Sequence, residues 1–311
     1  MKLEGTSAQM GSILDIYTGY FGLNARPFAI APDPDMLFWS ITHRRAYSLM
    51  EYAIVTRAPI TLVTGEVGAG KTLLVQHLLR NVGDDVVFGL VSQVRGKAED
   101  VLPWVLLALG EPAEPDDSMV ELFSRFEERL IQEYAAGRRV VLVFDEAQNL
   151  SDQALEQIRT LTNMNTGTDE LLQVFLVGHS GLRERIVNST LQPLAQRIGA
   201  ACHLPAMDSA TTGEYVRHRL KAVGGNHELF TDEAVDLVHE RTGGLARLVN
   251  QLCDFSMVYA FSKGNPQVDK MTVMQVINDG VFFGGQALLA PADKDDVAHL
   301  PMFRARPAPL D

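Results

Sequence analysis

Long hydrophobic runs and a network of cysteines are both missing from this 311-residue sequence. No apolar stretch approaches the roughly 18 residues that a membrane-spanning helix needs, so we expect no membrane span. Residues 1–11 lack the apolar core of a secretory signal, which favours a cytoplasmic protein. The two cysteines, Cys202 and Cys253, are far apart and lack metal-ligand spacing. We therefore expect two buried thiols.

Positive charge is also scarce, since 27 Lys and Arg residues face 39 Asp and Glu residues and the formal net charge is −12. Proteins that neutralise the phosphates of DNA usually carry a basic surplus. The charge balance therefore disfavours a nucleic-acid partner, although a basic patch on one face stays open. The rest of the composition, 46% hydrophobic and 21% charged, is typical of a globular protein.

Short, uniformly apolar runs alternate with stretches of helical periodicity over the first two thirds of the chain. Such runs are typical of parallel strands that helices cover on both faces, and not of half-exposed antiparallel strands. The pattern predicts an α/β fold of three layers with a five-stranded parallel sheet. The five strand runs are 60–64, 86–91, 140–144, 171–177 and a weaker one at 199–204.

The strand signals stop near residue 206, and four helical patterns follow, which predict a small all-helical domain. Prolines and aromatic residues between residues 20 and 46 indicate an irregular but packed segment. The proline-containing end of the chain has little periodicity and reads as disordered. We therefore divide the chain into an N-terminal extension (1–19), a nucleotide-binding domain (20–205), a helical domain (206–285) and a disordered tail (286–311).

A glycine-rich loop, Gly65-Glu66-Val67-Gly68-Ala69-Gly70-Lys71-Thr72, lies between the first predicted strand and a predicted helix. Glycine lets the backbone N–H groups wrap closely around phosphate oxygens, and the helix N-terminus adds partial positive charge. Lys71 is expected to reach the β- and γ-phosphates of a nucleotide, and the Thr72 hydroxyl to bind Mg²⁺. We assign nucleotide binding to Gly65, Glu66, Val67, Gly68, Ala69, Gly70, Lys71, Thr72 and Leu73. The alternative is a glycine turn with an exposed lysine.

An acidic pair, Asp145 and Glu146, ends the third predicted strand. The carboxyl edge of an open parallel sheet is where ligands of such folds bind. We expect Asp145 to hold the magnesium ion and Glu146 to act as the general base that polarises the attacking water. The alternative is that the pair only caps the next helix.

Three further residues are candidates for contact with the γ-phosphate. His179 follows the fourth predicted strand and could orient the water, or it could be structural. Arg197 precedes the fifth strand and could act in trans on a neighbouring subunit, or it could be a solvated arginine at a helix end. Arg247 begins a helix of the second domain and could couple nucleotide state to domain angle, or it could form a surface salt bridge.

Several motifs in this order resemble those of the AAA+ ATPases, and more closely those of the ExeA/GspA-like branch linked to type II secretion. The resemblance spans residues from about 17 to 282. The motifs are Tyr20-Phe21-Gly22-Leu23, Pro27-Phe28, Pro32-Asp33-Pro34, the loop at 65–72, Asp145-Glu146-Ala147-Gln148-Asn149-Leu150, Leu194-Ala195-Gln196-Arg197-Ile198 and Gly243-Gly244 with Arg247-Leu248-Val249-Asn250. The sequence departs from the branch at His179, where Gln is usual, and at Ala246, where Pro is usual.

The resemblance implies a P-loop AAA+ domain followed by a helical lid, with ATP and Mg²⁺ as cofactors. It implies a homo-oligomer in which Arg197 acts in trans, and a segment around residues 28–43 that closes over the adenine. It also implies a protein partner in an envelope or secretion complex. Larger relatives carry a membrane span and a peptidoglycan-binding module, which are not expected here. The partner would therefore recruit this chain to the inner membrane.

Three functions compete on this sequence. The first is an ATPase whose hydrolysis drives assembly or transport in a secretion, polysaccharide-export or other cell-envelope system. The second is a nucleotide-switched DNA-binding ATPase like the transposition regulators, which the acidic charge balance disfavours. The third is a scaffold that binds ATP without turnover, which is hard to reconcile with Lys71, Thr72, Asp145 and Glu146 together. The sequence favours the first.

Overall fold

Five strands form one parallel sheet in the order β2-β3-β6-β1-β7 in the computed structural model. The structure describes residues 17–30, 36–92, 101–166, 169–188 and 190–284. The strands of this sheet are β1 (Ile60–Gly65), β2 (Val86–Val91), β3 (Arg139–Phe144), β6 (Leu172–Gly178) and β7 (Ile198–Leu204). They coincide with the five predicted runs, so the predicted α/β fold is confirmed.

The strength of the sequence signal follows the position of each strand in the sheet. The central strands β1 and β6 are buried along their whole length, because helices cover both faces of a parallel sheet. The strand β7 lies at an edge and alternates between exposed and buried residues over most of its length. Its weaker apolar run therefore reflects an edge position.

Helices pack on both faces of the sheet and build two hydrophobic cores. The first core is lined by α3, α4, α5, α6 and α7, and the second by α1 and α2. These helices are α1 (Ile41–Val55), α2 (Lys71–Asn81), α3 (Val101–Ala108), α4 (Met119–Ala135), α5 (Asp152–Leu161), α6 (Ser180–Asn188) and α7 (Gln192–Arg197). A two-stranded hairpin of β4 (Asn165–Thr166) and β5 (Asp169–Glu170) follows α5. Neither this hairpin nor α7 was predicted from the sequence.

Four helices after residue 206 form a separate hydrophobic core, which confirms the predicted helical lid. They are α8 (Ser209–Ala222), α9 (Asp232–Thr242), α10 (Ala246–Ser262) and α11 (Lys270–Asn278). Residues 17–30 belong to this core and not to the sheet: Phe28 is fully buried and packs edge-on against Phe230 of the lid, with ring centroids 5.7 Å apart. The domain boundary at residue 20 stays a prediction, but the segment that follows it packs on the lid.

A buried carboxylate fastens this N-terminal segment to the lid. Asp254 on α10 accepts a hydrogen bond from the Tyr17 hydroxyl and forms an ion pair with Arg26. Burial is the main cause that raises the pKa of Tyr17 above its usual value, and the neighbouring Asp254 raises it further. The phenol therefore stays a donor. The segment is therefore held on the lid by polar contacts as well as by apolar packing.

Both cysteines are free and buried, as expected, and burial raises the pKa of Cys202 to about 12. Within the described ranges, no helix combines the length and the apolar character needed to cross a membrane. The motif Pro32-Asp33-Pro34, the segment 286–311 that was predicted to be a disordered tail, and most of the N-terminal extension lie outside the described residues.

Strand order determines where the site can form. Because β6 lies between β1 and β3, the loops that follow β1, β3 and β6 leave the same edge of the sheet side by side. These are the loops that begin at Gly65, Asp145 and His179. The carboxyl edge of the sheet thereby gathers three of the predicted motifs.

Candidate active site

The glycine loop connects β1 to α2 and adopts a conformation that glycine alone allows easily. Gly68 and Gly70 have φ angles of 81° and 91°, in the left-handed region. A Cβ at position 68 would lie 2.7 Å from the Cβ of Arg247, and one at position 65 would lie 2.4 Å from the carbonyl oxygen of Leu204. The loop is therefore close-packed against both the lid and the neighbouring strand.

Lys71 occupies the first position of α2 and turns back over the loop. Its Nζ donates to the carbonyl oxygens of Gly65 and Glu66, at 3.0 and 2.9 Å. Burial lowers the pKa of Lys71, while the carboxylates of Glu146 and Asp145 oppose this shift. The ammonium group is thus half-buried at the mouth of the loop. A bound phosphate would replace the two backbone carbonyls as its partner, and the neutral hydrogen-bond acceptors would give way to a charged one.

Thr72 and Asp145 form a contact between the start of α2 and the end of β3. The Thr72 hydroxyl donates to Asp145 Oδ2 at 2.9 Å, and Asp145 Oδ1 accepts from the backbone N–H of Glu146 at 2.9 Å. A hydroxyl and a carboxylate at this separation are the hard oxygen ligands that Mg²⁺ prefers together with substrate phosphates. The two residues therefore fit the predicted magnesium site.

Glu146 follows Asp145 in a left-handed backbone conformation, with φ 54°. A left-handed conformation is uncommon outside glycine and is associated with functional sites. It places the exposed Glu146 side chain on the cavity that Lys71 also lines. The predicted base and the predicted phosphate-binding lysine are thus brought together.

One cavity of about 330 Å³ joins the sheet edge to the lid. Its lining combines the glycine loop, the predicted base Glu146, and His179 and Arg247, which are two of the three additional candidates. The cavity therefore contains charges of both signs. The lining residues are Ala29, Ile30, Val67, Gly68, Gly70, Lys71, Thr72, Leu73, Glu146, His179, Tyr215, Arg219, Ala246, Arg247 and Asn250.

His179 lies at the end of β6 and lines this cavity. Its Nδ1 accepts a hydrogen bond from the backbone N–H of Gly181 at 3.0 Å. Because Nδ1 is an acceptor, the neutral ring carries its hydrogen on Nε2, and this assignment leaves Nε2–H as the available donor. The position of His179 is compatible with the predicted contact to a γ-phosphate.

Arg247 lies in the first turn of α10 and also lines the cavity. Its backbone N–H contacts the carbonyl oxygen of Gly68 at 3.4 Å, a long hydrogen bond between the lid and the glycine loop. The lid therefore approaches the loop at the residue that was predicted to sense the nucleotide.

Arg197 lies outside this cavity. Its guanidinium group donates to the carbonyl oxygen of Thr162 at 2.6 Å and contacts both carboxylate oxygens of Glu170 at 3.2 Å. These partners lie at the end of α5 and on the β4–β5 hairpin. The geometry separates Arg197 from the site of its own chain, and its action in trans stays a prediction.

Two supports of the loop were not recognised in the sequence. Glu66 accepts a hydrogen bond from the Ser180 hydroxyl at 2.6 Å, which ties the loop to the start of α6. His43 on α1 contacts the Ala69 carbonyl through Nε2 at 3.2 Å and Ser40 Oγ through Nδ1 at 2.7 Å. Because a carbonyl only accepts, His43 carries its hydrogen on Nε2. Burial lowers its pKa, which keeps the ring neutral.

A smaller, mainly apolar cavity of about 50 Å³ adjoins the first. It is lined by parts of the segment at 36–43, by the linker to the lid, and by Tyr215 and Arg219 of α8. Phe38 packs edge-on against Tyr215, with ring centroids 5.6 Å apart. The expectation that the segment at 28–43 closes over the adenine therefore points to this cavity, whereas Phe28 itself lies in the lid core.

The comparisons with known proteins agree with this architecture. A family model described as an AAA domain matches residues 55–186. The solved structure of the Aeropyrum pernix ORC2 protein, in its ADPNP and ADP complexes, has a TM-score of 0.60 with 18% identity, and the match covers 82% of this chain and 72% of that one. At this identity the likeness shows the fold alone.

Two curated proteins resemble the chain in sequence. General secretion pathway protein A of Aeromonas hydrophila is 34% identical over 253 residues, which are 81% of this chain and 46% of that protein. An uncharacterized HTH-type transcriptional regulator of Methanocaldococcus jannaschii, MJ0774, is 24% identical over 57% of this chain and 45% of that protein. The chain spans less than half of the length of either relative. It belongs to the AAA+ family, in the ExeA/GspA-like branch.

Proposed function

We propose that this protein binds and hydrolyses ATP with Mg²⁺, as an oligomer that serves a cell-envelope system. The observation that carries the proposal is the convergence of Lys71, the Thr72–Asp145 pair and Glu146 on one edge of the sheet. A glycine loop with its lysine is sufficient for phosphate binding, whereas the adjacent carboxylates are what hydrolysis additionally requires.

The chain's own residues divide the reaction among them. The N–H groups of the loop bind the phosphates, and Lys71 transfers its hydrogen bonds from the carbonyls of Gly65 and Glu66 to the substrate. Glu146 accepts a proton as water attacks the γ-phosphorus in line with the leaving ADP oxygen. Mg²⁺ held by Thr72 and Asp145 would neutralise charge on the β- and γ-phosphates.

Three residues complete the proposed reaction from farther away. His179 donates through Nε2–H and Arg247 approaches from the lid, so both stabilise charge on the γ-phosphate. We assign Arg197, which lies outside the cavity of its own chain, to the site of a neighbouring copy. Glu170 and Thr162 would hold that guanidinium group in place. The expected consequence is a rate that depends on assembly.

The cellular role proposed here is assembly or transport in a secretion, polysaccharide-export or related envelope system. Support comes from the similarity to General secretion pathway protein A, which covers 81% of this chain. We propose a cytoplasmic location, with a protein partner that recruits the chain to the inner membrane. The alternative, a DNA-bound switch, would require contacts that offset the net charge of −12.

One experiment tests the reaction and separates the two roles. The steady-state rate of ATP hydrolysis is measured over a wide range of protein concentration, with and without duplex DNA. We expect a specific rate that rises with protein concentration and does not respond to DNA, and we expect Arg197→Ala to remove that rise. Activity that appears only with DNA would support the switch instead. Full specific activity at nanomolar concentration would exclude an arginine acting in trans.

Variants of the site test the roles of individual residues in the same assay. Glu146→Gln should bind nucleotide and lose turnover, because the amide is a poor base. Normal turnover by Glu146→Gln would show that the base has been assigned to the wrong residue.

A further inference from the structure

A glutamine next to the proposed base connects the two strands that end at the cavity. Gln148 lies in the short 3₁₀ helix Ala147–Asn149, which follows β3. Its Nε2 donates to Glu146 Oε2, and its Oε1 accepts from the backbone N–H of His179 at 3.2 Å, at the end of β6. A single amide group thus bridges the base and the strand end that faces it.

The orientation of this amide is determined from both ends. The backbone N–H of His179 can only donate, and the ionised carboxylate of Glu146 can only accept. Both contacts therefore require Oε1 on the β6 side and Nε2 on the Glu146 side, so the flip of the amide is not ambiguous. The two hydrogen bonds use opposite ends of one rigid planar group.

The surroundings leave Gln148 little freedom. Arg185 donates through Nη1 to the Gln148 carbonyl oxygen at 3.2 Å and pairs with Asp152 through Nη2, and these contacts anchor the backbone of the 3₁₀ helix. A Cβ at position 178 would lie 2.8 Å from Gln148 Oε1, so Gly178 leaves the room that the amide needs. The amide is therefore fixed by neighbours on β6 and α6 as well as on its own turn.

Glu146, in contrast, is an exposed side chain on a turn and has several rotamers of its own. The contact from Gln148 uses Oε2 and leaves Oε1 of the carboxylate to accept a proton. We propose that Gln148 is a positioning residue, which holds the Glu146 carboxylate in its proton-accepting orientation and links that orientation to the end of β6. This inference rests on the proposed ATP hydrolysis with Glu146 as the base.

The link to β6 gives the contact a second consequence. His179 lines the cavity with its ring and holds Gln148 with its backbone N–H. A ligand that moves His179 therefore also moves the amide that orients Glu146. Gln148 acts through Glu146 and does not itself touch the substrate.

The variant that tests this role is Gln148→Met, which keeps the length and approximate volume of the side chain and removes both hydrogen bonds. We expect kcat to fall about 10- to 100-fold, as for loss of orientation of a catalytic group, while Kd for ATP stays within about twofold. The matched control is Gln132→Met, at an exposed position on α4, which should leave both constants unchanged. Thermal unfolding of each variant checks that the fold is intact.

A second variant separates the two ends of the bridge. Gln148→Glu retains an acceptor for the His179 N–H but replaces the donor to Glu146 with a like charge. We expect its kcat to fall at least as far as that of Gln148→Met. Recovery of wild-type kcat by Gln148→Glu would mean that only the contact to β6 matters, and it would overturn the proposal.

A double-mutant cycle identifies the route of the effect. In the Glu146→Gln background, Gln148→Met should cause no further loss, because the group on which it acts is already absent. Independent, multiplicative losses would overturn the inference, as would a change in Kd without a change in kcat. If Glu146→Gln is inactive and Gln148→Met is as fast as the wild type, the inference fails and the proposed function stands. If Glu146→Gln turns over normally, the inference fails together with the assignment of Glu146 as the base, whereas the proposed ATP hydrolysis stands.

Discussion

The two sides of the nucleotide cavity are constructed differently. The sheet side consists of loops that leave neighbouring parallel strands, and its charged groups are fixed by short hydrogen bonds such as that of Thr72 to Asp145 at 2.9 Å. The lid side contacts the glycine loop through close packing of Arg247 on Gly68 and a long hydrogen bond of 3.4 Å between these two residues. We therefore expect the sheet side to be preorganised and the lid side to be the one that moves.

This difference assigns separate tasks to the two sides. Catalytic groups need fixed positions relative to one another, which strand ends of one sheet provide. A sensor of the bound nucleotide needs an element whose position can change, and we expect the lid to be that element. The N-terminal segment belongs to the lid side, since Tyr17 and Arg26 fasten it to Asp254 of the lid.

The largest expected effect concerns the sheet side. Lys71→Ala should weaken ATP binding at least about 100-fold, because it removes the half-buried cation that is proposed to bind the phosphates. Isothermal titration of ATP measures the effect. Lys221→Ala, at an exposed position of α8, is the matched control and should bind like the wild type. Tight binding by Lys71→Ala would show that the lid side supplies most of the affinity.

The next effect tests whether the N-terminal segment depends on the lid. Asp254→Ala leaves the buried Tyr17 hydroxyl without its acceptor and should lower the free energy of unfolding by about 2 kcal/mol. Arg26 adds little to this figure, because its side chain is 41% exposed and its ion pair is screened by water. Chemical denaturation measures the change.

Asp232→Ala is the control for this variant, since Asp232 forms an ion pair with Arg217 at the protein surface. We expect a much smaller effect there. If Asp254→Ala were as stable as the wild type, the apolar contacts of residues 17–30 and the hydrogen bonds that Arg219 donates to the Pro27 and Ala29 carbonyls would suffice to hold the segment on the lid.

The sequence predicted the sheet side in more detail than the lid side, for a physical reason. The loop at 65–72 and the pair Asp145 and Glu146 are local motifs: each lies at the end of a strand whose apolar run is itself visible. The parallel fold then brings them to one edge without further information. Strand order was not predicted, because no local sequence pattern specifies which strands pair.

Contacts over long sequence distances account for what was missed. Tyr17 and Asp254 are 237 residues apart, and His43 and Ala69 are 26 apart, so neither contact has a local signature. Prolines and aromatics did predict that residues 20–46 are packed, but not that Phe28 enters the lid core. For Arg197 the sequence offered two readings, and its anchoring by Thr162 and Glu170 could be found only in the structure.

A smaller effect is expected from the lid side of the cavity. Arg247→Ala should weaken ATP binding about 10-fold and leave ADP binding nearly unchanged, because the guanidinium group is proposed to contact the γ-phosphate. Titration of both nucleotides measures the ratio. Arg217→Ala, at the surface of α8, is the control. Equal losses for ATP and ADP would mean that Arg247 stabilises the closed lid without distinguishing the nucleotides.

The smallest effect concerns His43, which supports the glycine loop from α1. Burial lowers its pKa in the folded protein, whereas the unfolded chain has an ordinary histidine pKa of about 6.5. Below that pH the unfolded state binds a proton that folded His43 does not bind. Stability is therefore fully present above about pH 6.5 and declines as the pH falls towards the folded pKa, by up to about 1.4 kcal/mol per unit.

Chemical denaturation at several pH values between 7.5 and 5.5 tests this expectation. The quantity compared is the slope of the free energy of unfolding against pH, and not the free energy at any one pH. His218 has a pKa that burial also lowers, so it contributes a slope of the same sign and remains in every variant. His43→Gln should reduce this pH dependence by the contribution of one histidine. An identical slope in wild type and His43→Gln would mean that the loop opens to water at His43. The sheet side would then be less rigid than its hydrogen bonds imply, and the contrast with the lid would weaken accordingly.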